Sequence, residues 1–271
     1  ISGINWQVKM MPVVRGYTEA DLIRAYDYRL QNRLRYNQSQ GVEGHFIVAT
    51  NSSFGIDNGR AKDAPVWCAF YDTLGAAGII NIAATTNRTV DVDEYGDLPT
   101  TCTSPFLVSI NSIDTAAQQC QSGIGNEHID LAAFGRQILT TLPDNGYGWF
   151  EGTSAASAQV AAAVGLLYAA PCSNLPAWSI DDPAAAAIAC RNLLMKGGQL
   201  NNSLIASQSS RQLDLLGTLQ KQNVESDHGN CLVTTAKASR SKTWTSLQRT
   251  ISAHTNCTAS SLPVTTDSPS A

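Results

Sequence analysis

The apolar positions of the first 170 residues fall into two alternating rhythms. Val8-Lys-Met-Met-Pro-Val-Val14 reads as a strand. Thr18-Glu-Ala-Asp21 then offers an N-cap with an acid three residues on, close to a capping box. Leu22, Ile23, Tyr26, Leu30 and Leu34 follow at helical spacing, with Arg24, Asp27, Arg33 and Arg35 off that stripe. Phe46 to Thr50 lacks alternation, which predicts a short strand buried on both faces. A second helix is expected from Ala64 to Leu74, closed by Gly75 and Gly78. Ile79 to Ala84, Phe106 to Ile110 and Ile129 to Ala132 read as further strands. Ala155 to Ala169 reads as a helix of small residues. Strand and helix in this alternation predict a parallel sheet with right-handed crossovers, an α/β sandwich. A helical region around Pro183 to Met195 and the segment Arg211 to Leu219 close the domain, which is expected to span residues 1–222.

From Asn223 onward 18 of 49 residues are Ser or Thr, so residues 223–271 are expected to be a linker or the start of a further module. With 43% hydrophobic and 15% charged residues, the 271-residue chain can bury a core and is not held open by its own repulsion. Net charge of −4 argues against a broad footprint for nucleic acid. The longest apolar run, Val160 to Ala170, falls short of the roughly 18 residues that a membrane span needs. Few lysines and many Asn, Ser and Thr residues point to a secreted or periplasmic protein, expected to be a monomer. Seven cysteines show no metal-knuckle spacing; Cys102 with Cys120 and Cys231 with Cys257 are candidate disulfides. The chain opens on Ile1 rather than Met and ends within the Ser/Thr stretch, which suggests processing or a piece of something longer.

The sharpest chemical feature is Gly152-Thr-Ser-Ala-Ala-Ser-Ala-Gln-Val160. Gly152 lets the backbone approach a ligand, and Ser154 falls where the Ala-rich helix begins. Unpaired N–H groups and the positive helix end would face a developing oxyanion there. A plain N-cap serine explains the same residue. Asn87 ends the strand begun at Ile79, at the carboxyl edge where open α/β sheets build their sites, and its amide can donate to an oxyanion. Asn51-Ser-Ser-Phe-Gly55 ends the preceding strand, with Gly55 opening the loop. Taken singly, both would be turns.

Together, Asn51 to Gly55, Ala83-Ala-Thr-Thr-Asn87 and Gly152 to Ser157 resemble the subtilisin-like (S8) serine peptidases, in that family's order and approximate spacing. Asn5 to Pro12, Leu131 to Gly135 and Thr141 to Tyr147 add support, and the resemblance covers residues 1 to about 220. It implies a three-layer α/β sandwich, lacking its amino-terminal part, and an endopeptidase acting on protein or peptide substrates. Ser154 would be the acylating nucleophile and Asn87 the oxyanion donor, joined by the Ser154 backbone N–H and Thr153. Ser53, Phe54 and Gly55 would pair with an extended substrate, with Phe54 against a neighbouring subsite. Ala84, Thr85, Thr86 and Gly152 would wall the pocket for the residue before the scissile bond, with room for a bulky apolar side chain.

Serine needs a base and the base an orienting carboxylate. The family's Asp-Ser/Thr-Gly and His-Gly-Thr-His segments precede the part matched by Val8 to Val14, and neither occurs in the 271 residues. His45 and His128 each precede a strand, at the amino edge opposite the active end; His228 and His254 fall in the tail. The chain by itself is therefore expected to be inactive, the carboxyl-terminal portion of a longer peptidase. The alternatives are a secreted pseudoprotease that binds peptides without cleaving them, or a structural domain of a larger exported protein. No cofactor is implied beyond a structural calcium, for which Asp91, Asp93, Glu94 and Asp97 are candidates. A solvated acidic loop explains those four as well.

Overall fold

The computed structural model describes residues 3–171 and 173–225. The tail reading, His228, His254 and the Cys231–Cys257 pairing lie outside the described residues, except that the last helix runs to Glu225. In chain order come helix α1 (Glu19–Gln38), strands β1 (Ala49–Ser52) and β2 (Ile56–Asp57), and α2 (Pro65–Ala76). Then follow β3 (Ile80–Ala84), α3 (Val92–Tyr95), β4 (Asp97–Leu98), β5 (Leu107–Ile113) and β6 (Leu131–Phe134). A hairpin of β7 (Ile138–Thr141) and β8 (Tyr147–Phe150) leads into α4 (Thr153–Ala169). The chain finishes with α5 (Leu175–Asp181), α6 (Pro183–Gly197), β9 (Gln199–Leu200), β10 (Arg211–Gln212) and α7 (Leu215–Glu225).

The central sheet has the order β1-β3-β5-β6-β10-β9, and only the β9–β10 pairing is antiparallel. Every residue of β3 and β5 is buried, as strands covered on both faces require, the polar Asn81, Ser109, Asn111 and Ser112 included. On one face Ile80, Ile82, Val108, Ile110 and Leu131 pack against Ala156, Val160, Ala163 and Val164 of α4 and against Cys190, Leu193 and Leu194 of α6. On the other, Ile79, Ala83 and Leu107 meet Leu22, Tyr26 and Leu30 of α1 and Trp67, Tyr71 and Leu74 of α2. This is the three-layer α/β sandwich with a mostly parallel sheet. Small residues bring α4 close to the sheet, and Gly75 accepts the Phe106 ring where any side chain would collide.

The capping box at Thr18 forms: its side chain accepts from Asp21 N, and Asp21 returns a bond to the Thr18 N–H. Arg33, expected on the polar face of that helix, is instead completely buried. It donates to Ile47 O and Asn37 Oδ1 at 2.8 Å each and to Ser179, and its guanidinium lies 4.5 Å from the centre of the Phe46 ring. Burial pushes its pKa down to about 10.

Two sequence expectations are corrected. Val8 to Val14 is not a strand: β1 ends the sheet, and Val8, Met10 and Val14 are exposed. A strand exists only through its ladder, and this segment instead crosses α4, with Val8 against Gly165. Cys102 pairs with Cys68 of α2 rather than with Cys120, which is free. Residues flanking a seven-residue strand are carried to its opposite ends, roughly 20 Å apart, far beyond disulfide reach.

Candidate active site

Three carboxyl-end segments of the sheet meet the amino end of α4. Its N-cap is Gly152, at φ 131°, so Ser154 lies inside the first turn and is not the cap. The turn begins where Gly152 N donates to Gly135 O at 2.7 Å, closing the base of the β7–β8 hairpin. A Cβ on Gly152 would sit 3.1 Å from Asn87 Oδ1, so glycine also serves the close approach.

Thr153 N donates to Asn87 Oδ1 at 2.9 Å, and Thr153 Oγ1 is 2.6 Å from Thr85 O and 3.0 Å from Asn87 Oδ1. A backbone N–H can only donate, so the amide oxygen must face α4. Nδ2, the donor end of an exposed residue, is thereby turned away from Thr153. The first-turn N–H of Ser154 has no partner within the helix geometry. Asn87 Nδ2 and the N–H of the half-buried Ser154 are donors of the kind an oxyanion needs.

Ser53, exposed just beyond β1, reaches the same turn. Its Oγ lies 3.1 Å from Ser154 O and 3.0 Å from Ser157 Oγ, and it accepts from Asn51 Nδ2 at 3.0 Å. Ser157, which also donates to Ser154 O, is a contributor that the sequence did not single out. Phe54 is half-buried, stacked near Trp67 with Arg15 4.1 Å over its ring. Gly55 abuts Leu98 O, where a Cβ would collide, and β2 then pairs with β4. Ala84, Thr85 and Thr86 are buried at the end of β3.

The histidines sit elsewhere. His45 is exposed at the approach to β1, and His128, before β6, holds Asp93 through Nδ1 at 2.8 Å. Both are at amino ends of strands, and Ser154 is at the carboxyl ends, roughly four residues or about 13 Å of strand away. The acidic loop also disperses. Asp91 caps α3, Asp93 faces Glu127 N and His128, and Asp97 turns inward onto three threonines. Among the described residues no three His, Cys, Asp or Glu side chains converge, so the calcium expectation finds no donor set in this loop.

Ser154 thus stands in the first turn of α4, next to the Thr153 that binds Asn87 beyond the carboxyl end of β3. Residues 1–210 match the subtilase family of S8 peptidases, and the chain belongs to that family. It is similar to Subtilisin-like protease 2 of Plasmodium falciparum (isolate 3D7), 29% identical over 154 residues, which are 55% of this chain and 11% of that protein. It is also similar to the Major intracellular serine protease of Bacillus subtilis (strain 168), 36% identical over 61 residues, 22% of this chain and 19% of that protein. The chain thus spans between a tenth and a fifth of these relatives' lengths. Among solved structures, the Prenylagaramide maturation protease PagA aligns with a TM-score of 0.57 at 18% identity, covering 78% of this chain and 70% of that one. A cold adapted subtilisin-like serine proteinase gives 0.51 at 19% identity, covering 73% and 62%. Those two establish the fold.

Proposed function

We propose that the chain carries the nucleophile and oxyanion half of a serine endopeptidase. Ser154 Oγ attacks the scissile carbonyl carbon, and its proton passes to a base and then to the leaving amine. Water afterwards hydrolyses the ester. Asn87 Nδ2 and the Ser154 N–H receive the tetrahedral oxyanion. Ser53, Phe54 and Gly55 align an extended protein or peptide substrate, and Ala84, Thr85, Thr86 and Gly152 wall the recess for the residue before the cleaved bond. The observation that carries this reading is the 2.9 Å bond from Thr153 N to Asn87 Oδ1, because it leaves the amide's donor end for substrate.

Among the described residues the histidines, His45 and His128, both stand at the end of the sheet opposite Ser154, and on that ground we hold the chain alone to be inactive. The Cys68–Cys102 bond supports a secreted or periplasmic setting. We expect a monomer in which neither nucleic acid nor membrane is a partner; among the described residues no helix is long and apolar enough to cross a bilayer.

A fluorophosphonate probe tests the reading. This chain should remain unlabelled, and the longest polypeptide its gene encodes should be labelled at Ser154, with Ser154→Ala abolishing the signal. Labelling of the isolated chain would overturn its inactivity. Absence of labelling in both would favour the second reading, a non-catalytic peptide binder, which the exposed Asn51–Gly55 edge and the remote histidines support.

A further inference from the structure

We infer that Asp97 is a positioning residue for Asn87, fixing the two residues that lead into it and so setting where its amide donates. The inference rests on the oxyanion role proposed above for Asn87. Thr85 and Thr86 connect β3 to Asn87 and are held from two sides. From α4, Thr153 engages Thr85 O and Asn87 Oδ1. From β4, Asp97 Oδ2 accepts from Thr85 Oγ1 at 2.9 Å, from the Thr86 N–H at 2.9 Å and from Thr100 Oγ1 at 2.7 Å.

Two of those three bonds act on the residues immediately before Asn87. Each is neutral donor to carboxylate, the stronger kind of hydrogen bond. Asp97 is 2% exposed and has no cationic partner within salt-bridge distance among the described residues. Burying a carboxylate without a cation is costly, and burial raises its pKa from the ordinary value. Packing alone would be met more cheaply by an apolar side chain. What the carboxylate adds is an acceptor for a backbone N–H that has reached the end of its ladder.

The surroundings leave the threonine little freedom. A Cβ at Gly123 would fall 2.3 Å from Thr85 Oγ1, so glycine there preserves the contact with Asp97. Asp97 also pairs across the ladder with Asp57, two residues beyond Gly55. One short strand therefore braces both the Ser53–Gly55 edge and the turn that bears Asn87. A change at Asp97 should move the oxyanion donor before it unfolds the domain.

The test uses the whole 271-residue chain labelled with nitrogen-15, with Asn87→Asp identifying the Asn87 side-chain resonances. Asp97→Ala should speed exchange of the Thr86 amide about tenfold, the equivalent of one hydrogen bond, and shift the Asn87 amide pair. Ile82 and Val108 amides should keep their protection. Asp97→Asn retains the acceptor oxygen and should restore both signals. The inference is overturned if Asp97→Ala leaves Thr86 and Asn87 unchanged. If the alanine variant unfolds, the asparagine variant decides: a folded core with displaced Asn87 resonances also overturns it. In the longest polypeptide the gene encodes, Asp97→Ala should lower kcat about ten- to a hundredfold with KM within threefold, and Asp97→Asn should recover it. A fall in KM-dependent binding alone would count against positioning. If that polypeptide cleaves nothing, the oxyanion role of Asn87 fails, and the resonance measurement still decides whether Asp97 sets its geometry.

Discussion

Arg33→Met should destabilise the fold by about 2–4 kcal/mol. The substitution keeps an unbranched stem of similar reach and removes the guanidinium that ties α1 to the approach of β1 and to α5. Arg33 serves Asn37 Oδ1, Ile47 O and both oxygens of Ser179. Leaving three such residues short of a donor costs roughly 1–3 kcal/mol each. Against that stands the relief from burying an unpaired cation, several kcal/mol, and loss of the contact with Phe46 adds back about 1 kcal/mol. Arg33→Lys is the sharper comparison, since it keeps the charge in the same burial without the planar fork; it should be at least as damaging. Urea unfolding followed through the fluorescence of tryptophan, including buried Trp67, gives both values. A methionine variant within about 0.5 kcal/mol of the parent, or a lysine variant indistinguishable from it, would refute the reasoning.

Reducing Cys68–Cys102, or replacing both with alanine, should cost about 3–4 kcal/mol from the 34-residue separation it closes; an unchanged urea midpoint under reductant would contradict this. Asp97 and Asp130 both have pKa values raised by burial, in Asp130 despite the Arg191 ion pair at 2.6 Å. Each therefore favours the fold fully below its ordinary 3.8, and that contribution is lost as pH rises through the higher folded value. Asp97→Asn should flatten the fall in stability above pH 3.8, and parallel pH profiles for parent and variant would sink the claim. Asn111 is fully buried with neither end of its amide bonded among the described residues, so Asn111→Leu should leave stability equal or higher; a loss above about 1 kcal/mol would mean that the amide has a partner, such as a bound water.

The parts of the fold that could be read from sequence are those where one short window determines the outcome. Ile79 to Ala84 is apolar but for Asn81 and does not alternate, as expected of a strand covered on both faces, and it became β3 nearly residue for residue. Thr18 and Asp21 specify the start of α1 by themselves. Arg33 defeated the same reasoning because helical spacing assigns it to a face but does not say that α5 and Phe46 cover that face. The β7–β8 hairpin was missed for the opposite reason: Leu139, Tyr147 and Trp149 remain exposed, so its apolar residues do not mark a buried face. Its turn did carry a signal in Asp144-Asn145-Gly146, where Asp144 and Asn145 adopt positive φ. Asp97 was legible only as one acid among four. Its distinction from Asp91 and Asp93 comes from pairing with Asp57 and facing Thr85, neither of which any local window contains.

The same division explains why one half of the site is built so completely. The orientation of Asn87 follows from Thr153, the next residue after the glycine that caps α4, and from Asp97 behind β3. None of these groups needs a proton acceptor near Ser154 in order to hold its place. The proposed oxyanion site, assembled from a helix terminus and a strand terminus, would follow from how α4 packs on the sheet, and that packing is secured by the buried Ala156, Val160 and Ala163. Proton transfer is a separable requirement, because a base must be brought to Ser154 Oγ from the exposed side. On the proposed reading the geometry at Ser154 serves charge stabilisation, and acceleration by general-base chemistry depends on a group that His45 and His128 do not supply.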